Sequence, residues 1–267
     1  MSAYSFILNL IEPETAVLDF GCGRGQVVVS ARARGLNVVG ADTYDRKWGR
    51  WLDDVAPGAR AHVSRIESGR LPYADASFEV VFANMVFEHI PWQHVPAALR
   101  EIRRVLKPGG RFIAIFPTSE IWYEGHLGVY FAHWLSRWPR LQGGYLRACY
   151  RLGYGLHRGA ARSAAQWAEQ RQRVLRRSVH YHRAAVVAKQ WAATFGAAPT
   201  SLAADYMRFR TGLRRRGARL DRLLELACHR RACRVLVAAK SGLAQPVLGD
   251  GLVTARVDEN EEGSKSP

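Results

Sequence analysis

The chain has 267 residues, 48% of them hydrophobic, enough for one large core or a core with an elaborated cap. Its 39 Lys and Arg outnumber 23 Asp and Glu, a net charge of +16 that favours anionic partners such as phosphates, acidic glycans, nucleic acid or an anionic membrane face. No apolar run reaches the roughly 18 residues that a spanning helix needs, and four cysteines without metal spacing or a dense disulfide pattern fit reduced thiols in a cytoplasm.

The N-terminus, M-S-A-Y-S-F-I-L-N-L-I-E, has no basic n-region and too short an apolar run for a signal peptide. The expected location is cytoplasmic, with a peripheral hold on an anionic membrane as the alternative. From residue 16 the pattern becomes regular. Ala16–Phe20 reads as a strand, Gly25–Arg34 as a helix ended by Gly35, and Asn37–Asp42 as a second strand closing on a carboxylate. A helix is expected over Asp45–Asp54, then strands over Arg60–Arg65 and Ser77–Ala83. Leu99, Ile102 and Leu106 share one face of a helix over Val95–Leu106. Lys107-Pro-Gly-Gly110 breaks the chain before a fifth strand, Arg111–Phe116. Strand and helix alternate, which predicts parallel strands with right-handed crossovers in an α/β, doubly wound sheet.

That order fails at residue 118. Residues 118–182 are rich in aromatics, Arg and His, and read as a mostly helical insertion that caps the substrate pocket. Residues 130–183 hold eleven Arg and one acid, Glu169. Here Tyr145, Tyr150, Tyr154 and Trp167 interleave with Arg147, Arg151, Arg158 and Arg162, a composition suited to a membrane interface or to phosphate. The core resumes over 183–242 with a helix (Ala184–Phe195), a strand (Leu202–Phe209), a helix (Gly217–Arg230) and a buried strand (Arg234–Lys240), and residues 243–267 form a polar, disordered tail.

The first strand-to-helix turn is V-L-D-F-G-C-G-R-G, Val17 to Gly25. Glycine lets a ligand lie against the backbone, and parallel sheets bind ligands at the carboxyl ends of their strands. A dinucleotide loop would read G-x-G-x-x-G. Here Gly21, Gly23 and Gly25 alternate, and Asp19 stands two residues before the first. An acid there repels pyrophosphate and suits an ammonium or sulfonium group.

This segment resembles motif I of the class I S-adenosylmethionine-dependent methyltransferases, most like the type-11 branch. R-L-P-Y-A-D-A-S-F-E-V-V (70–81), N-M-V-F-E-H-I (84–90) and R-R-V-L-K-P-G-G-R (103–111) resemble later segments of that family, in the same order. The resemblance implies a Rossmann-like, seven-stranded sheet with a helical insertion after strand five, and S-adenosylmethionine as cofactor. It implies that Asp19 with Gly21, Cys22, Gly23 and Gly25 holds the methionine end, that Asp42 takes the ribose, and that Thr43 and Tyr44 lie along the adenosine. Glu67 and Ser68 stand where the family contacts the adenine, and Asn84 under the sulfonium.

The insertion supplies the candidate substrate site. Trp122, Tyr123, Glu124 and His133 offer aromatic planes and polar groups that suit a sugar or another polyhydroxylated ring. A hydroxyl acceptor needs a base. His126, beside Glu124, is the first candidate and His89 the second. A helix running from His126 would put His126 and His133 on one face. The expected reaction is O-methylation of a sugar, glycan or lipid-linked intermediate. The alternatives are a quinone- or polyketide-like small molecule, an RNA, or cofactor binding without catalysis. No N-P-P-[YF], no Pro-Cys pair and no appended RNA-binding module is present, which lowers the case for nucleic acid. No H-E-x-x-H and no Cys cluster gives a recognisable metal signature.

Overall fold

The computed structural model describes residues 3–44, 54–231 and 233–241. The helix expected over Asp45–Asp54, apart from its last residue, and the expected tail over 243–267 lie outside the described residues.

Seven strands form the central sheet: β1 (Val17–Phe20), β2 (Val38–Asp42), β3 (Val63–Arg65), β4 (Phe78–Asn84), β5 (Leu106–Phe116), β8 (Thr200–Ser201) and β9 (Arg234–Ala239). Their order is β3-β2-β1-β4-β5-β9-β8. The first five pair in parallel, and β9 runs antiparallel between β5 and β8. This is the α/β Rossmann-like sheet that the sequence predicts.

Two apolar layers sandwich the sheet, and strand alternation sorts residues between them. Val17, Val80, Phe82, Ile113, Ile115, Val235 and Val237 face one layer, with α1 (Ala3–Leu8), α2 (Gln26–Arg32), α7 (Ala203–Thr211) and α8 (Ala218–Arg231). Leu18, Val81, Ala83, Phe112, Ala114, Phe116, Leu236 and Ala238 face the other, with α3 (Val95–Val105) and α6 (Ala184–Phe195). Because neighbouring residues go to opposite layers, the strands read as unbroken apolar runs.

The structure corrects several expectations. Lys107–Gly110 does not break the chain but forms a bulge within β5, where the register with β4 shifts between Phe78 and Val80. A Cβ on Gly110 would lie 2.9 Å from the Lys107 carbonyl and 3.0 Å from that of Glu79, so the bulge requires glycine. The strand expected over Arg60–Arg65 shrinks to Val63–Arg65, behind a 3-10 turn at Pro57–His62. Leu202–Phe209 is not a strand. Ala203 and Tyr206 are buried three residues apart, a helical spacing, and α7 forms with Asp205 in its first turn and Arg208 and Arg210 in its last.

The insertion is mostly helical, as expected, but opens with a hairpin, β6 (Tyr123–Glu124) and β7 (Val129–Tyr130), before α4 (Pro139–Arg151) and α5 (Ala164–Arg177). No helix runs from His126. Gly128, with φ +74°, turns the chain instead, and residues 132–137 are 3-10. The insertion has a core of its own around Leu127, Leu146 and Trp167.

Candidate functional site

The carboxyl ends of β1, β2 and β4 open on a cleft of about 870 Å³, inside the roughly 300–1,000 Å³ usual for small-ligand sites. A smaller concavity of about 420 Å³, lined by Arg100, Arg103 and Gln190 with two neighbours, has neither a carboxylate nor a histidine. The glycine loop forms the floor of the larger cleft: Gly21, Gly23 and Gly25 all have positive φ, and Gly25 ends in a left-handed turn that starts α2. A Cβ on Gly21 would sit 2.5 Å from Val86, so the loop packs directly under the segment after β4.

Asp42 pins this loop. Its Oδ2 accepts a hydrogen bond from the Gly23 amide (2.8 Å) and its Oδ1 one from the Thr43 amide (2.7 Å). Asp19 lies behind the loop, 2% exposed, with Oδ2 accepting no hydrogen bond among the described residues. Burial, and then the nearby charge of Asp42, raises its carboxyl well above the usual carboxylate range. Burial, then Asp19, pushes the Cys22 thiol up to about 12, so it is an inert neutral group in contact with the Tyr44 hydroxyl at 3.5 Å.

Of the expected residues, Gly21, Cys22, Gly23, Asp42, Thr43, Asn84 and the candidate base His89 line the cleft, while Asp19 and Gly25 do not. Nor do other expected residues. Tyr44 turns into the core, 6% exposed, because φ of +47° swings it under the loop. Glu67 and Ser68 sit in an exposed turn closed by the Glu67–Arg70 bridge, and Ile66 lines the cleft in their place. Trp122, Tyr123, Glu124, His126 and His133 are not lining residues: Trp122 packs on Phe131 and Tyr123 on Tyr130 in the hairpin, with Trp122 45% exposed. Sequence reasoning missed Tyr4, Arg24, Gln26, Pro91 and His94, and it gave no role to Met85, Val86 and Ile90, although they lie in the segment N-M-V-F-E-H-I.

Behind the His89 wall lies a polar cluster. His89 Nδ1 donates to the Ser178 carbonyl (2.6 Å), the His180 amide to the Glu88 carbonyl (2.6 Å), and His182 Nε2 lies 3.0 Å from the Ile90 carbonyl. Residues 178–182, the end of the insertion, are thus laced to the segment after β4. The His89 and His126 rings meet edge to face, 5.1 Å between centroids.

Two buried carboxylates there meet opposite fates. Glu124 accepts from the Leu127 amide (2.8 Å), from His126 Nδ1 (2.8 Å) and from the Tyr181 hydroxyl. Burial alone would push its carboxyl up, but the bonds from His126 and Tyr181 outweigh that and hold it below the usual range. Burial lowers the pKa of His126, and the hydrogen bond with Glu124 more than reverses it. Glu88 is 0% exposed, and neither of its oxygens accepts a hydrogen bond among the described residues. Burial pushes its carboxyl up to about 8.

A parallel β3-β2-β1-β4-β5 sheet, a glycine loop after β1 and acids at the ends of β1 and β2 define a Rossmann-like nucleoside-binding domain. Residues 18–114 match the methyltransferase domain family, and this segment has the features of the class I S-adenosylmethionine-dependent methyltransferases. It is similar to 2-methyl-6-phytyl-1,4-hydroquinone methyltransferase of Synechocystis sp. (34% identity over 104 residues, 39% of this chain and 32% of that one). It is also similar to malonyl-[acyl-carrier protein] O-methyltransferase of Erwinia pyrifoliae (36% over 124 residues, 44% of this chain and 41% of that one). The matched segments cover less than half the length of these relatives. An S-adenosylmethionine-dependent methyltransferase from Mesorhizobium loti shares the fold over 89% of this chain and 98% of its own, with a TM-score of 0.50 and 16% identity.

The residues present fit S-adenosylmethionine, the cofactor of this class. The open glycine floor leaves room for the nucleoside, Asp42 brings a carboxylate to the cleft at the end of β2, and Asn84 keeps a buried Oδ1 that accepts no hydrogen bond among the described residues.

Proposed function

We propose that the chain transfers the methyl group of S-adenosylmethionine to a hydroxyl of a small molecule with a largely apolar body. The cofactor contributes an electrophilic methyl on a sulfonium. The chain's residues bind and orient it through Asp42, Thr43 and the glycine loop, with Asp19 behind, and hold the acceptor against the segment after β4. One observation carries this reading: Met85, Val86, Ile90 and Pro91 make that wall apolar, while His89, its Nδ1–H held by the Ser178 carbonyl, brings an imidazole to the cleft.

A sugar as acceptor rested on Trp122 and Tyr123, which stand outside the cleft, so a hydroxylated ring of quinol or polyketide type is the better match. The hydroquinone relative supports the same class. The test is incubation with S-adenosylmethionine carrying a labelled methyl and a panel of quinols, hydroxylated polyketides and lipid-linked sugars. The expected result is label in an ether on one of the first two classes; label only on a sugar, a carbon or a nitrogen overturns the assignment.

A second feature bears on where the acceptor comes from. Trp134, Trp138 and Leu141 are 43%, 56% and 59% exposed, next to the exposed Arg137 and Arg140. Aromatic and cationic groups together suit the interface of an anionic bilayer, the source of a lipid-soluble acceptor. Cosedimentation with vesicles containing anionic lipid is expected, and to fall when Trp134 and Trp138 become Ala. Equal binding to neutral vesicles, or none to either, removes this contact.

A further inference from the structure

We propose that Glu88, His89 and His126 form a binding site for one divalent transition-metal ion on the acceptor side of the cleft. Its purpose, though not its existence, rests on the methyl-transfer reading above.

The three side chains each offer a ligand atom, and these atoms lie within 4.8 Å of one another. They come from two distant parts of the chain, the turn after β4 and the hairpin of the insertion. Glu88 supplies the strongest indication. Its side chain is sealed from water with no donor on either oxygen among the described residues, whereas the neighbouring Glu124 receives donors on both of its oxygens. A cation held between Glu88 and the two histidines supplies the partner that this buried carboxyl lacks.

The histidines are prepared for that role. His126 gives Nδ1–H to Glu124 Oε1 at 2.8 Å, and His89 gives Nδ1–H to the Ser178 carbonyl at 2.6 Å. Each bond places a proton on Nδ1, so Nε2 is the nitrogen left to offer a lone pair in the neutral imidazole. On His89 that nitrogen lies 4.0 Å from Glu88 Oε1. Imidazoles whose far nitrogen is held by a carboxylate or a carbonyl are the usual outer arrangement of a metal centre. Two nitrogens and one carboxylate suit Zn²⁺, Mn²⁺, Fe²⁺ or Co²⁺ better than Mg²⁺ or Ca²⁺, which prefer all-oxygen sites. The two histidine side chains are 25% and 22% exposed, which leaves an entry path past Glu88's sealed side.

Three protein ligands leave a coordination position open, and His89 also lines the cleft. An acceptor hydroxyl bound there has a lowered pKa and loses its proton to water. The oxygen then forms its bond to the methyl as the sulfonium–carbon bond breaks, leaving a neutral thioether.

The test is titration of EDTA-dialysed full-length protein with Co²⁺, read as visible ligand-field absorption. One equivalent is expected to give the bands of a four- or five-coordinate site. Glu88→Gln and His126→Ala are expected to abolish them, and Glu124→Gln, which only orients His126, to weaken Co²⁺ binding by about 10–100-fold. Folding is controlled by melting: without metal, the near-isosteric Glu88→Gln melts within a few degrees of the parent, because one unpartnered buried polar group replaces another, but it loses the rise in Tm that Zn²⁺ gives the parent. No saturable spectrum, or one unchanged in Glu88→Gln, overturns the site. The two readings fail separately. Co²⁺ binding without ether formation leaves the site and removes the hydroxyl acceptor, whereas ether formation by protein that binds no Co²⁺ does the reverse.

Discussion

Asp42 reaches its neighbours through both carboxylate oxygens, one holding the Gly23 amide and the other the Thr43 amide. It therefore fixes the loop as well as facing the cleft. Hydrogen bonds to a charged group contribute about 1.5–3 kcal/mol each, so Asp42→Ala is expected to raise the Kd for S-adenosylmethionine by about 10–100-fold, measured by calorimetry. A Kd within error of the parent removes Asp42 from the cofactor site. Gly21 is constrained differently. Its φ is +78° and a Cβ would meet Val86 at 2.5 Å, so Gly21→Ala combines backbone strain with a displaced Val86. A loss of about 1–3 kcal/mol in denaturant melts is expected, together with weaker cofactor binding. At this scale the sequence was readable where chemistry is carried by the backbone of the loop or by an acid at a strand end. It was unreadable at Glu67, Ser68 and Tyr44, whose positions depend on turn dihedrals that no residue pattern announces.

Among the elements, α3 shows why R-R-V-L-K-P-G-G follows the L-P-Y-A-D segment. Arg104 donates Nε to Glu101 Oε1 (3.0 Å) and Nη2 to Glu101 Oε2 (2.8 Å), and also reaches the carbonyls of Tyr73 (2.8 Å) and Leu71 (3.0 Å). Glu101 Oε2 accepts the Leu71 amide at 3.1 Å. This bidentate clamp ties the loop before β4 to the helix after it. Arg104→Ala takes its donors from the Tyr73 and Leu71 carbonyls and leaves Glu101 with the Leu71 amide alone, and a loss of about 2 kcal/mol is expected from chemical denaturation. The hydrogen bonds from Arg104 hold the Glu101 carboxyl below its ordinary value. Its contribution is therefore present above the unfolded carboxylate pKa and is lost as pH falls through the lower folded value. Glu101→Gln should flatten the acid limb of stability against pH; an unchanged limb removes the clamp from the acid response. The elements of the core were legible because periodicity and breakers agree there. The error at Leu202–Phe209 came from a short apolar run that fits both periods, and burial at Ala203 and Tyr206 decided for the helix. The hairpin at the start of the insertion went unread because Gly125 and Gly128 interrupt a sequence otherwise rich in aromatics.

For the whole molecule, the sequence revealed that a sheet exists but not the direction of its last strand, since a buried run such as R-V-L-V-A-A reads alike in either sense. β9 lies between β5 and β8 and pairs with Arg111–Phe116 along its full length. During synthesis β5 leaves the ribosome with one side unpaired, and all of residues 117–233 must follow before its neighbour exists. An unpaired edge of F-I-A-I-F is an invitation to aggregate. The independently packed insertion sits within that interval, so the nascent chain carries a finished helical lobe beside an unfinished sheet. Release of the chain before Arg234 is expected to give insoluble product, and supplying the missing strand as a separate peptide offers a way to rescue it.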